Sequence, residues 1–309
     1  MLSRKTKHTL LKIVSMFSVV RGYNIPIIVL AQYLSAIFIL APENKRALEV
    51  LLDFNLFIIV LVSSLTIASG YIINNFYDSK KDLINRPNKS QLDRLVSQKT
   101  KLQVYFSVNF IVFLLAFFVS LRAVLFFSAY IFLIWFYSHK LKKITVIGNL
   151  TAAFLAVLPF FAILLYYKNL YPQIFAHATF LFLLILIREM IKDLENLKGD
   201  IANDYQTIPV LYGETFAKKI ITLLTFSTIV PIYYLVEVFE VGYMDIYFYI
   251  SMIVLIFFLQ KLWQSATKPD YLKLHNILKF LVVSGVFCIV LINPSVLIHG
   301  KKIVETMVR

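Results

Sequence analysis

The sequence has 309 residues, of which 60% are hydrophobic and 16% charged, and its mean hydropathy is +0.78. These proportions exclude an ordinary soluble domain, and several runs approach the length of a bilayer-crossing helix, so residues 1–309 read as a single polytopic membrane domain. The net charge of +14 does not indicate nucleic acid, because most Lys and Arg fall in short segments between apolar runs, where they set topology.

In chain order, residues 1–22 form a basic segment that leads straight into a span, with no separate cleavable signal. Nine spans are predicted, at roughly 23–41, 54–73, 103–121, 123–138, 147–166, 171–191, 217–237, 243–262 and 277–298. With the N-terminus cytoplasmic, 24 of the 31 Lys and Arg lie on the cytoplasmic side, which orients the chain. Pro26, Pro159, Pro231 and Pro294 interrupt spans and are expected to kink them. The single Cys288 rules out an intrachain disulfide, and five scattered histidines show no zinc-ligand spacing. His177, within the sixth span, reads as a hydrogen-bonded packing residue.

Two acidic stretches close spans on the cytoplasmic side. The first runs from Asn74 to Pro87; if its helix continues, Asn74, Asp78 and Asp82 share one face. Carboxylates about 5–6 Å apart repel by roughly 3 kcal/mol at an effective dielectric of 20, so they are either fully solvated or share a cation. The second stretch, Arg188 to Asp200, places Asp193, Asn196 and Asp200 on one face at the end of the sixth span. The two stretches lie four spans apart, which predicts two four-helix halves around a central cavity, with a ninth helix appended. Cations sit at neighbouring span ends: Arg21 with Asn24, Lys142 with Asn149, and Arg188 with Lys192. Acids that hold Mg²⁺ beside cations that meet phosphate oxygens suit a metal-bound diphosphate. The bland alternative is a pair of charged, solvated loops, with Arg21 and Lys142 serving topology alone. Lys80, Lys81 and Lys198 read as topology charges, and Glu195 points away from the acidic face.

These residues resemble the UbiA superfamily of intramembrane prenyltransferases. Asn74, Asp78, Asp82, Asn85 and Pro87 are similar to its first motif, with Lys89 where Arg is usual. Arg188, Glu189, Lys192, Asp193, Glu195, Gly199 and Asp200 resemble the second motif of its digeranylgeranylglyceryl phosphate synthase-like branch, followed by Thr207, Pro209 and Gly213. Arg21 with Asn24, and Tyr137-Ser138 with Lys142, Gly148 and Asn149, resemble smaller signatures. Asn75 and Asn196 depart from the pattern, each standing where Asp is usual.

The resemblance implies an all-α integral membrane prenyltransferase with its active face and N-terminus in the cytoplasm, in the cell membrane if the source is prokaryotic. Asp78, Asp82, Asp193 and Asp200 are then catalytic, binding Mg²⁺ with Asn74, Asn75 and Asn196. Arg21, Asn24, Lys142, Asn149, Arg188 and Lys192 then engage the diphosphate. The expected substrates are a polyprenyl diphosphate and a lipophilic acceptor drawn from the bilayer: a prenylated glycerol phosphate, or alternatively an aromatic acceptor of quinone, haem or chlorophyll type. Tyr71, Phe76 and Tyr137 are candidates to face an allylic cation. With Asn75 as a ligand, Asn75→Asp is expected to lower the Mg²⁺ requirement. Two rivals are a transporter, which would place its acids near the bilayer midplane, and a CDP-alcohol phosphotransferase, whose compact Asp-Gly motif the sequence lacks.

Overall fold

The computed structural model describes residues 4–42, 44–296 and 298. His299, Lys301, Lys302 and Arg309, and the end of the predicted ninth span at 297, lie outside the described residues. Among the described residues the regular structure is helical, and nine helices are long and apolar enough to cross a membrane. An amphipathic α1 (Arg4–Val19) precedes the first span, α2 (Gly22–Leu40). The second span is α3 (Phe54–Asp78), followed by two short helices, α4 (Lys81–Asn85) and α5 (Pro87–Asp93). Then come α6 (Gln98–Val119), α7 (Leu121–His139), α8 (Ile147–Tyr167) and α9 (Pro172–Glu195). A short α10 (Leu197–Ile201) leads to α11 (Ile208–Val238), α12 (Gly242–Gln264) and α13 (Lys268–Ile292).

Local chemistry sets these limits. Asp53 Oδ1 accepts from the amides of Asn55 and Leu56 at 3.0 and 3.2 Å and starts α3. Ser97 and Ser120, both extended, take the amides of Thr100 and Ala123 at 3.1 Å and open α6 and α7. Asp270 accepts from the amide and hydroxyl of Thr267 and caps α13. Gly213, at φ 82°, interrupts α11, a conformation open to glycine at little cost. The second span runs to Asp78 rather than 73 and the sixth to Glu195 rather than 191, so each carries motif residues on its last turns.

The chain gathers into two compact units interleaved in sequence: residues 1–29, 58–155 and 196–217 form one, and 30–57, 156–195 and 218–309 the other. The boundary at 195/196 falls inside the second acidic stretch. In the first unit α6 packs on α7, α1 on α5, and α10 on α4. The second unit is built on α9 lying along α13. There the Tyr247 hydroxyl donates to the Leu281 carbonyl at 3.0 Å, and Phe180 meets Phe248 edge-on at 5.3 Å between ring centroids.

Candidate active site

Most of the predicted residues fall in the first unit, and some of them are in direct contact there. The helix of α3 runs into the first acidic stretch only as far as Asp78; Asn74 and Asp78 share a face four residues apart, but Asp82, expected on that same face, lies beyond a turn on the separate α4. Lys142 reaches them from the loop between α7 and α8, with Nζ 2.6 Å from Asp78 Oδ1 and 3.2 Å from Asn74 Oδ1. That loop lies against the start of α8 because Gly148 has no side chain; a Cβ there would meet the carbonyl oxygens of Lys142 and Leu141 at 3.1 and 3.2 Å. Asn149, buried, follows on the first turn of α8. Arg21 sits just before α2 with φ 49°, its guanidinium 4.9 Å from the Tyr71 ring centroid. Asn24 is half-buried on the opening turn of α2, its amide on the Arg21 carbonyl at 2.8 Å.

The tail of the second acidic stretch closes on the tail of the first. Asp200, on α10, is fully buried, and its Oδ1 lies 2.5 Å from Lys81 Nζ at the start of α4. Lys81 also stands 3.8 Å from the ring centroid of Tyr205, whose hydroxyl donates to Asp78 Oδ1 at 2.7 Å. A chain of contacts therefore runs from Asp200 to Lys81, across the cation–ring contact to Tyr205, to Asp78, and on through Lys142 to Asn74. Gly199 permits the approach, since a Cβ there would fall 2.3 Å from Asn85 Nδ2. Burial and the charge of Asp78 keep the Tyr205 phenol well above its usual range, so it remains a donor. Burial, and then the Asp78 charge, push the Asp82 carboxyl upward against the pull of Arg86, Arg21 and Lys89.

Asn75 requires a correction. One residue on from Asn74 it turns about 100° round the helix, away from Asp78. Its Oδ1 accepts from the buried Lys101 ammonium at 2.8 Å, and its Nδ2 donates to Asp93 Oδ2 at 2.9 Å. Asp93 in turn accepts from Lys89 at 2.6 Å and from the Ser18 hydroxyl at 2.7 Å. The amide is thus committed to a network joining α1, α3, α5 and α6, and is not presented as a cation ligand. A second correction concerns Lys81, which is no mere topology charge: only 16% of its side chain is exposed. Lys101, Asp93 and Tyr205 were not legible as site neighbours, because nothing in their spacing distinguishes them from other span-end residues.

The remaining predicted residues lie on α9 in the second unit. There Glu189 accepts from Lys192 at 2.6 Å and from Arg188 at 3.2 Å. Asp193 occupies the last turn of the same helix, and Glu195 pairs with His275 Nδ1 at 3.2 Å. His177 is buried, 6.1 Å from the Phe248 ring centroid.

The donor set suits a hard divalent cation. Asp78, Asp82, Asp200 and Asn74 offer oxygen, and two of the carboxylates already hold an ammonium in close contact. Asn196 Oδ1 is buried with no hydrogen-bond partner among the described residues, an acceptor for a cation or donor to satisfy. Among the described residues no three acids or imidazoles form a ready cage. Mg²⁺ does not call for one, since it keeps several waters and is shared between one or two carboxylates and substrate phosphates.

The model of the UbiA prenyltransferase family matches residues 28–292. The chain belongs to the UbiA prenyltransferase family. It is a membrane-embedded prenyltransferase of this family, with the nine apolar helices already described. Among curated relatives, a digeranylgeranylglyceryl phosphate synthase of Methanosphaera stadtmanae is 29% identical over 217 residues, covering 70% of this chain and 78% of the relative. One of Sulfurisphaera tokodaii is 25% identical over 277 residues, covering 84% and 92%. Among solved structures, one of a digeranylgeranylglyceryl phosphate synthase superposes with a TM-score of 0.68 at 20% identity, covering 91% of this chain and 98% of that one. A UbiA homologue from Archaeoglobus fulgidus, bound to DMAPP and Mg²⁺, gives 0.65 at 16% identity, covering 89% and 99%. Both likenesses bear on the fold.

Proposed function

We propose that this UbiA-family member transfers a prenyl group from a polyprenyl diphosphate to a prenylated glycerol phosphate, with Mg²⁺ and release of diphosphate. The supporting observation is the chain of contacts Asp200–Lys81–Tyr205–Asp78–Lys142, which joins the two acidic motifs at one place. The acceptor class follows the names of the curated relatives, which are digeranylgeranylglyceryl phosphate synthases. The excess of Lys and Arg on one side supports a cytoplasmic position for this face.

Asp78, Asp82 and Asp200, with Asn74 and Asn196, are the groups that would hold Mg²⁺. When bound, the ion supplies Lewis-acid neutralisation of the leaving diphosphate. Lys142, within hydrogen-bond reach of Asp78, donates to phosphate oxygens as negative charge builds on them. Arg21 approaches from the start of α2, and its stacking on Tyr71 fixes the guanidinium plane. The Tyr205 hydroxyl holds the Asp78 carboxylate in place. Tyr71, Phe76 and Tyr137 are the aromatic candidates to face an allylic cation. Roles for Arg188, Lys192 and Asp193 rest on the family resemblance.

The test incubates membranes carrying the protein with labelled geranylgeranyl diphosphate. Arms hold geranylgeranylglyceryl phosphate or an aromatic acid as acceptor, each with Mg²⁺ or with EDTA. The expected result is a labelled diether phosphate only with Mg²⁺ and the glycerol phosphate. Label passing to the aromatic acid instead overturns the acceptor class, and turnover in EDTA overturns the metal.

A further inference from the structure

Lys81 has no part in the motif pattern, yet it is the cation nearest the most buried acid of the site. Asp200 is wholly inaccessible, and an uncompensated charge there would cost several kcal/mol. Lys81 supplies the compensation at 2.5 Å, while its ammonium faces Tyr205 at 3.8 Å. Asp78 is covered in the same way by Lys142. Two ammonium groups thus sit on two of the carboxylates that the proposed function gives to Mg²⁺.

An ammonium and a divalent ion cannot occupy the same carboxylate lone pairs. When Mg²⁺ and diphosphate arrive together, the acids acquire a stronger cation and new negative charge appears on the phosphate oxygens. A lysine on a flexible four-carbon stem, with three donors, can follow that charge. Tyr205 links the two acids, since its ring contacts the Lys81 ammonium while its hydroxyl stays on Asp78. We infer that Lys81 is an exchangeable counter-ion and a diphosphate-binding residue: it covers Asp200 while the site lacks a divalent cation, and moves to diphosphate when one binds. This rests on the diphosphate reading of the site.

Purified full-length protein in detergent is titrated with Mn²⁺, followed by loss of the free-ion electron paramagnetic signal, and then with inorganic pyrophosphate at saturating Mn²⁺. Against wild type, Lys81→Gln is expected to bind Mn²⁺ alone about tenfold more tightly and pyrophosphate about tenfold more weakly. Its melting temperature falls in EDTA, and the deficit shrinks in Mn²⁺. A variant that is less stable in EDTA but has unchanged Mn²⁺ and pyrophosphate affinity makes Lys81 a structural counter-ion only, and overturns the inference. If Lys81→Gln does not fold, Lys81→Arg decides: a guanidinium fixed on Asp200 by two hydrogen bonds weakens Mn²⁺ binding severalfold, and unchanged affinity overturns the exchange. Wild type that binds neither Mn²⁺ nor pyrophosphate defeats the diphosphate reading itself, and the inference with it.

Discussion

Lys101, buried on α6, donates its ammonium to Oδ1 of Asn75 at 2.8 Å, and the same amide donates to Asp93 at 2.9 Å. A neutral amide suits this position because it accepts from the cation and donates to the anion at once. An aspartate there would still take Lys101 but would confront Asp93 with a second carboxylate. Asn75→Asp is therefore expected to lower stability by about 1–3 kcal/mol and to leave the Mg²⁺ requirement unchanged. Asn75→Leu strands a buried ammonium and costs more, about 3–5 kcal/mol. Thermal unfolding in detergent and Mg²⁺ titration of turnover check both; a lower Mg²⁺ requirement in Asn75→Asp would restore position 75 as a ligand.

Tyr205→Phe removes the hydroxyl that meets Asp78 but keeps the ring under Lys81. A hydrogen bond to a charged group contributes about 1.5–3 kcal/mol, so turnover should drop roughly ten- to hundredfold if that bond positions Asp78 in the reaction. The melting temperature should fall by less than that of Tyr205→Leu, which loses both contacts. Full turnover in Tyr205→Phe would show that Asp78 is positioned without it.

How far the sequence discloses these features depends on what carries each one. Spans are written in long apolar runs, so the nine among the described residues are legible, and helical period gives the face shared by Asn74 and Asp78 but wrongly extends it to Asp82, which lies past the helix end. The ends of α3 and α9 extend past the hydrocarbon-length runs because helix continues through polar residues, which hydropathy does not register. The interleaving of the two compact units is invisible in sequence order. Motif spacing finds the acids but not their partners: Lys81 looks like any span-end lysine until α10 is seen to pack on α4. Asn75 misleads for a related reason, since its direction is periodic and legible while its partners Lys101 and Asp93 lie at distances of 26 and 18 residues.

Gly199 lies where the two motif tails touch. A Cβ would fall 2.3–2.5 Å from three side-chain atoms of buried Asn85. Gly199→Ala should therefore destabilise by about 1–3 kcal/mol through overpacking. Asn85→Ala should relieve the clash, so the double variant should be more stable than the sum of the single changes implies. Unfolding of the four proteins completes the cycle, and simple additivity would mean that the two residues do not press on each other.

Asp82 makes the site's electrostatic cost measurable. Its carboxyl titrates above the usual range, chiefly through burial and then through the charge of Asp78. The folded state therefore holds this proton more firmly than the unfolded state does. With no divalent cation, stability is lost as pH rises from the ordinary aspartate value of about 4 through the raised one, and the deficit is complete above it. Asp82→Asn removes that deficit, so in EDTA it should melt higher than wild type at pH 7.5, with the advantage vanishing near pH 4. Mg²⁺ should reverse the order, because wild type gains from the ion and the variant loses a ligand. Catalysis should be lost in Asp82→Asn at every pH, the exchange of stability for function expected where a site concentrates like charges. Melting curves at the two pH values, with EDTA and with Mg²⁺, give the answer: a variant less stable than wild type at pH 7.5 in EDTA would mean that ionised Asp82 helps hold the fold together and is not the strained acid of a cation site.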